Sequence, residues 1–189
     1  MLNNELCSIR LRNIAYWKEK LDKQRTMKRL ILSRHAKSSW DNPELRDIDR
    51  PLNKRGLCSA PVMGKALVAR GFIPEVILAS PSVRTRMTAD LLSEELDFPK
   101  DEIQIIDSFY GASAAEVVAV MNRLPDEVDC ALLVGHNPTW TDLVNRLTGG
   151  RLVNLPTAGI VVIDFSVGSW TLAEQGTEVA TLIPRGLMD

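Results

Sequence analysis

The sequence predicts an α/β fold with a mostly parallel sheet, and three short apolar runs carry this prediction. The runs cover residues 30–32, 76–79 and 131–134. Each has the length and aliphatic character of a strand that is buried on both faces. Segments of helical period lie between the runs, which is the alternation that a parallel sheet requires.

Side chains that can bind phosphate follow each run. Arg34 and His35 follow the first run, Arg84 comes shortly after the second, and His136 follows the third. Open parallel sheets bind ligands outside the carboxyl ends of their strands, so we expect these side chains to meet. A neutral imidazole is a nucleophile as well as a base, and a guanidinium offers paired donors to a phosphoryl group.

Three motifs at these strand ends resemble the histidine phosphatase superfamily (phosphoglycerate mutase-like, branch 1), and within it the SixA-type phosphohistidine phosphatases. They are Arg34-His35-Ala36, Ser80-Pro81-x-x-Arg84 and Gly135-His136-Asn137-Pro138. The resemblance runs from about Met27 to the C-terminus. It implies a three-layer αβα sandwich with a mostly parallel central sheet and antiparallel edge strands. Ala36 departs from the pattern, because many members carry Gly there, and we expect Ala to be tolerated if its φ stays below zero.

The resemblance also implies roles for four residues: His35 becomes phosphorylated, while Arg34, Arg84 and His136 grip the phosphoryl oxygens and would bind a phosphate or sulfate ion. Phosphoryl transfer demands that His35 be neutral, with its second ring nitrogen donating to a backbone carbonyl. We expect the two guanidiniums and a protonated His136 to balance the phosphoryl charge without a metal or another cofactor.

Three further residues are candidates for the site. Asp107 stands before Tyr110-Gly111, where larger mutase-like members carry a general acid; it is a candidate proton donor, and the alternative is a helix cap or turn residue. Ser38 and Arg50 lie in a long polar loop after the first strand, and such loops are often functional. Both could donate to phosphate, whereas the alternative is solvation and local turn bonding.

Residues 1–26 are predicted to be an N-terminal helical extension, and residues 27–189 the histidine phosphatase domain. The extension has apolar residues at helical period and otherwise a basic cast, so it could dock on its own domain, a neighbouring subunit, another partner or a membrane surface. A further alternative is that these residues are a mis-assigned translation start or a lineage-specific extension. The apolar stripe consists of Leu2, Leu6, Ile9, Ile14, Trp17 and Leu21.

The first half of the domain is predicted to contain two helices. Asn53 is a helix cap, and Gly71 a C-terminal stop. Pro61 predicts a kink or a late start in this helix. A second helix begins near Arg84, and residues 103–106 form a short strand.

The second half is predicted to contain two helices and an antiparallel tail. The helices cover residues 114–124 and the segment from Thr139 to Gly149. Residues 160–163 are expected to pair with residues 169–172 across a turn, and a final apolar run covers residues 179–183.

Composition narrows the function classes. The chain has 189 residues and 45% hydrophobic residues, which is ordinary for one soluble domain. Its net charge of −1 provides no overall electrostatic attraction to nucleic acid or to a membrane. Three cysteines without CxxC spacing argue against a disulfide framework or a thiolate zinc site. We expect a cytoplasmic, metal-independent phosphatase that hydrolyses phosphohistidine on a signalling protein or acts on another phosphorylated protein. The alternatives are a phosphatase of small phosphorylated metabolites and a non-catalytic phosphate-binding module.

Overall fold

The computed structural model describes residues 27–186, so the prediction for residues 1–26 lies outside the described residues. The strands are β1 (Lys28–Arg34), β2 (Val76–Ala79), β3 (Gln104–Ile105), β4 (Cys130–Gly135), β5 (Ile160–Phe165) and β6 (Thr177–Leu182). The helices are α1 (Lys54–Val68), α2 (Val83–Glu95), α3 (Ala114–Met121) and α4 (Thr139–Thr148). Among residues 27–186, no helix is both apolar enough and long enough to span a bilayer.

The six strands form one sheet in the order β3-β2-β4-β1-β5-β6. β3, β2, β4 and β1 are mutually parallel, whereas β5 pairs antiparallel with both β1 and β6. Apolar side chains of α3 and α4 pack on one face of this sheet, and those of α1 and α2 pack on the other. The predicted three-layer αβα sandwich with antiparallel strands at one edge is confirmed.

The strand register places the predicted site residues at one edge of the sheet. Arg34 at the end of β1 is level with Gly135 at the end of β4. On the other side of β4, Ala79 is level with Val134. The residues that follow these three strands therefore leave the sheet side by side, as the sequence predicts.

Helix α1 fixes the start of the loop that follows β1. The side chain of Asn53 accepts a hydrogen bond from the Gly56 backbone N–H at 3.0 Å, which confirms the predicted cap. A Cβ on Gly56 would lie 2.3 Å from the Lys37 carbonyl oxygen, so only glycine permits this close approach. The helix begins at Lys54, well before Pro61, so the alternative of a late start is wrong.

The predicted pairing of residues 160–163 with residues 169–172 is wrong. The segment Trp170–Leu172 is a 3-10 turn. Strand β5 pairs instead with β6, which overlaps the predicted final run of residues 179–183. The reason is the side chain of Trp170, which is completely buried and whose indole N–H donates to the Val128 carbonyl at 2.7 Å. The aromatic residue that suggests a strand here packs instead in the hydrophobic core on one face of the sheet.

Candidate active site

His35 emerges from the end of β1 and is largely buried. Its Nδ1 lies 2.7 Å from the Ala36 carbonyl oxygen, and because a carbonyl only accepts, Nδ1 carries the proton. The predicted hydrogen bond to a backbone carbonyl is therefore present, and Nε2 is left as the unprotonated nitrogen. Burial lowers the pKa of His35 to about 4, and the charges of Arg84 and Arg34 act in the same direction. The ring is neutral at pH 7, as a nucleophile requires.

The backbone at Ala36 accommodates the departure from the superfamily pattern. Ala36 is not among the described non-glycine residues with positive φ, so its methyl group causes no backbone strain. Its N–H donates to the Thr88 hydroxyl of α2 at 3.0 Å. This bond ties the turn after β1 to the helix that carries Arg84.

His136 stands beside His35, with 5.2 Å between the ring centroids. Its Nε2 lies 2.7 Å from the Ser80 hydroxyl, and its Nδ1 lies 3.5 Å from Nη2 of Arg84. A guanidinium only donates, so Nδ1 is the acceptor and the proton on Nε2 is donated to Ser80. Ser80 follows β2, so three neighbouring strands supply these contacts.

His136 is neutral in the ligand-free protein, so its predicted protonation beside a phosphoryl group stays a prediction. Burial first, and then the neighbouring His35 and Arg84, lower the pKa of His136 to about 3. A charged imidazole here would lose its hydration and face a guanidinium, so the neutral ring is favoured.

Arg84, in the first turn of α2, faces a carboxylate from the loop after β1. Its Nη2 donates to Oδ2 of Asp47 at 2.8 Å, and its Nη1 donates to the Asp47 backbone carbonyl. The hydroxyl of Tyr110 donates to the same Oδ2 at 2.9 Å. Although burial alone would raise it, the hydrogen bonds from Tyr110 and Arg84 hold the pKa of Asp47 at about 2. Asp47 is therefore a carboxylate in the ligand-free site.

The charge of Arg34 lowers the pKa of both histidines, but its side chain turns toward the loop before β5 and is not among the residues that line the cavity at His35 and His136. Its Nη1 donates to the Leu155 carbonyl at 2.7 Å and lies 3.3 Å from Oδ1 of Asn154. The amide N–H₂ of Asn137 donates to the same two oxygen atoms. Burial lowers the pKa of Arg34, and its Nε is buried without a partner in the structure. One donor of Arg34 thus remains to be satisfied.

Ser38 and Arg50 are both buried and bind each other. Nη2 of Arg50 donates to the Ser38 hydroxyl at 2.9 Å, and Nη1 donates to Oδ1 of Asp47 at 2.9 Å. The guanidinium also stacks on the Trp40 ring, 3.2 Å from its centroid. Neither Ser38 nor Arg50 is among the residues that line the cavity beside His35 and His136. Both hold the loop that presents Asp47.

The carboxylate that faces the site differs from the one the sequence suggests. Asp107 lies exposed in the 3-10 turn Asp107–Phe109 and is not among the residues that line the cavity, so its role as proton donor stays a prediction. Asp47, Tyr110 and Ser80 line the site or contact its histidines, and the sequence assigns none of them a role. The signal for Asp47 is its position in a long polar loop three residues before Arg50, which identifies the loop but not the side chain.

An open cavity of about 460 Å³ joins these groups. Arg84 is the positively charged side chain in its lining. The imidazoles of His35 and His136 and the phenol of Tyr110 are neutral polar groups there. No cluster of three or more His, Cys, Asp or Glu side chains within residues 27–186 is arranged to hold a metal ion. The cavity is lined by His35, Asp47, Arg84, Phe109, Tyr110, Gly111, Ala112, His136, Asn137, Pro138 and Thr139.

This arrangement combines a nucleophile with donors for a tetrahedral oxyanion. Nε2 of His35 is neutral and unprotonated, and the guanidinium of Arg84 lies close enough to depress the pKa of that ring. An imidazole in this state can act as a nucleophile, and a guanidinium beside it can balance the charge of a phosphoryl group.

Comparisons with known proteins agree with this geometry. The sequence profile of the histidine phosphatase superfamily (branch 1) matches residues 30–110. An uncharacterized chloroplastic protein of Arabidopsis thaliana is 34% identical over 152 residues, which is 76% of this chain and 69% of the relative.

Two solved structures share the fold over almost their whole length. The protein assigned as phosphohistidine phosphatase SixA from Agrobacterium tumefaciens has a TM-score of 0.73 and 29% identity, covering 83% of this chain and 98% of its own. The protein histidine phosphatase SixA in complex with tungstate has a TM-score of 0.73 and 22% identity, covering 84% and 99%, and this likeness concerns the fold. The chain therefore belongs to the histidine phosphatase superfamily (branch 1).

Proposed function

We propose that this protein is a metal-independent phosphatase that hydrolyses phosphohistidine on a signalling protein through a phosphohistidine intermediate at His35. The single observation that carries the proposal is the state of His35. Its Nδ1 proton is held by the Ala36 carbonyl, and its depressed pKa leaves Nε2 with a free lone pair at neutral pH. A neutral nucleophile avoids the repulsion that an anion would meet at a phosphoryl group.

Three side chains surround the phosphoryl group in this proposal. Arg84 and Arg34 donate to its oxygens, and His136 lies against both His35 and Arg84. The unpartnered Nε of Arg34 supports a role in anion binding, because a buried donor is costly until it finds an acceptor. Ser38 and Arg50 support the site by holding the loop between β1 and α1.

Two observations support a protein substrate. The loop between β1 and α1 contains only the single 3-10 turn Asp47–Asp49, so it forms no helical roof over the cavity. The neighbouring structure at 29% identity is assigned as a phosphohistidine phosphatase. An open cavity admits a phosphorylated side chain that projects from another protein.

Phosphoenzyme trapping tests the mechanism. The protein is mixed with acetyl phosphate or a phosphohistidine peptide, quenched without acid and analysed by intact mass and peptide mapping. We expect one added phosphoryl group on His35 and none in the His35→Ala variant. Label on another residue, or no label together with no release of phosphate, would overturn the proposal and leave a binding module.

A competition assay tests the substrate class. A phosphohistidine-containing protein and a series of small phosphate monoesters are offered separately, and phosphate release is compared as kcat/KM. We expect the phosphoprotein to be preferred by about tenfold or more, which corresponds to about 1.4 kcal/mol of transition-state binding. Preference for a small ester would assign the protein to metabolite hydrolysis with the same nucleophile.

A further inference from the structure

An open groove of about 420 Å³ lies between α3 and the edge of the sheet that β2 and β3 form. It shares no lining residue with the cavity at His35 and His136. Most of its lining is apolar, and an open apolar concavity of this kind marks a surface that binds another apolar surface. Five of the lining residues pack on the core and are still only half-buried, namely Val76, Ile106, Val120, Leu124 and Val128.

Strand β1 begins beside this groove. Lys28, its first residue, is completely buried, and its Nζ donates to the Asp126 carbonyl and, at 2.8 Å, to Oδ1 of Asp129. Pro125 and Val128, in the same turn, line the groove. The chain therefore enters the sheet at the turn that forms one wall of the groove.

The N-terminal segment, residues 1–26, leads directly into β1 and has the sequence of a groove-binding helix. As a helix, 26 residues would extend about 39 Å, which is ample to lie along a groove of this volume. Ile14, Trp17 and Leu21 of its apolar stripe have the i, i+3, i+7 spacing of helices that bind in apolar grooves. Trp17 is the kind of large apolar side chain that anchors such contacts.

The charges of the N-terminal segment and of the groove's rim are complementary. Of the 23 basic and 24 acidic side chains of the chain, six basic and three acidic ones lie in this segment, which leaves 17 basic and 21 acidic ones elsewhere. Asp126 and Glu127 lie exposed in the turn at the rim, between two lining residues. Arg123 is a basic residue of the lining, and its side chain is exposed. Basic side chains beside the apolar stripe can therefore face acidic ones at the rim.

We propose that the apolar stripe of the N-terminal segment occupies this groove in its own chain, with basic side chains toward Asp126 and Glu127. The segment covers core side chains that are half-buried without it and leaves the cavity at His35 open. A second copy of the chain, another protein and a membrane surface are the competing occupants of the groove or partners of the stripe. This inference does not depend on the proposed phosphatase function.

Photo-cross-linking of the full-length protein is the first test. Arg123→benzoylphenylalanine places a cross-linker in the exposed part of the lining, and unlabelled and ¹⁵N-labelled chains are mixed in equal amounts before irradiation. We expect peptides of the N-terminal segment to be coupled to residue 123, with both parts carrying the same isotope. Val68→benzoylphenylalanine is the control, because Val68 is exposed on α1 at the opposite face of the sheet and should not couple to the segment.

Two cross-linking results would overturn the inference. Coupled peptides of mixed isotope would show that the segment of a second copy fills the groove. No coupling of the N-terminal segment to residue 123 would assign its stripe to another protein or to a membrane surface.

Hydrogen exchange in the full-length protein is the second test. Trp17→Glu should free the groove, so we expect the amides of residues 120–128 to exchange about tenfold faster than in wild type. Ala15→Glu adds the same charge, but residues two apart on a helix do not share a face, so this control should match wild type. Unchanged slow exchange in β1 and β4 shows that the variants are folded. Equal exchange of residues 120–128 in Trp17→Glu and wild type, or equal acceleration in both variants, would overturn the inference.

Discussion

The carboxylate of Asp47 lies 2.8 Å from Nη2 of Arg84, the guanidinium that a phosphoryl group would need. Asp47 also holds the other terminal nitrogen of Arg84 through its backbone carbonyl. In the ligand-free site, the charge of Arg84 is thus neutralised by Asp47 from the loop after β1. A bound phosphate must compete with this carboxylate, and we expect the competition to weaken product binding and favour phosphate release.

Removing the charge of Asp47 should therefore tighten anion binding. The Asp47→Asn variant keeps the size of the side chain but lifts a negative charge from beside Arg84, and close charge pairs near a protein surface interact by several kcal/mol. We expect inorganic phosphate to bind about tenfold more tightly, measured by titration calorimetry or as product inhibition. Asp49→Asn makes the same change in a nearby side chain that pairs with Arg46, so this control should leave the phosphate affinity unchanged. Weaker phosphate binding in Asp47→Asn would show that the carboxylate orients Arg84 for the anion instead of competing with it.

Both histidines should titrate well below the usual range for imidazole. The chain contains only His35 and His136, so side-chain NMR gives two ring signals that the His35→Ala variant assigns. Burial lowers the two pKa values to about 4 and about 3, so both rings should remain neutral from pH 8 to pH 5. A midpoint near 6.5 for either ring would contradict the buried, cation-facing environment described above.

The same shifts make stability depend on pH with a defined sign. Because both folded-state pKa values lie below that of an unfolded histidine, about 6.5, the unfolded chain takes up protons first as the pH falls. The free energy of unfolding should be constant above pH 7 as far as these rings are concerned. It should fall between pH 6.5 and pH 4.5, approaching about 1.4 kcal/mol per pH unit for each histidine. Urea unfolding at several pH values checks this, and His35→Gln should make the slope shallower.

The strand ends could be predicted from sequence because they depend on local patterns and on one rule of sheet topology. Apolar runs specify β1 and β4, and parallel pairing then brings His35 beside His136. The position of Asp47 could not be predicted, because the path of its loop depends on contacts distant in the chain, such as the hydrogen bond from Tyr110. The protonation state of His136 depends on burial in the same way.

The tail shows a different limit of sequence reasoning. Apolar and β-branched residues around Trp170 have the composition of a strand, yet the indole is buried and the segment turns. Which of two apolar runs pairs with β5 is decided by the side chains that the core under the sheet must accommodate. Periodicity alone does not report that requirement.

Gly135 should be essential for stability because Trp140 packs against its backbone. A Cβ at this position would lie 2.1 Å from the Trp140 ring, which is completely buried. We expect Gly135→Ala to lower the free energy of unfolding by about 2 kcal/mol or more through overpacking. Gly150→Ala, just after α4, is the comparison, since a Cβ there meets chiefly the side-chain hydroxyl of Thr148. Equal effects of the two substitutions, measured by urea unfolding, would show that the ring yields easily.

Anion binding should make His136 take up a proton. In the ligand-free protein its Nδ1 is an acceptor facing Arg84, and the pKa of about 3 keeps it unprotonated. A dianion bound to Arg84 cancels the repulsion from that guanidinium and can accept a hydrogen bond from Nδ1–H, and both changes raise the pKa of the ring. Sulfate carries no proton near neutral pH, so proton uptake on sulfate binding must come from the protein. Calorimetry at pH 6 in buffers of different ionisation enthalpy should reveal this uptake and its loss in His136→Gln. Uptake that persists in His136→Gln and disappears in Asp47→Asn would place the proton on the carboxylate instead.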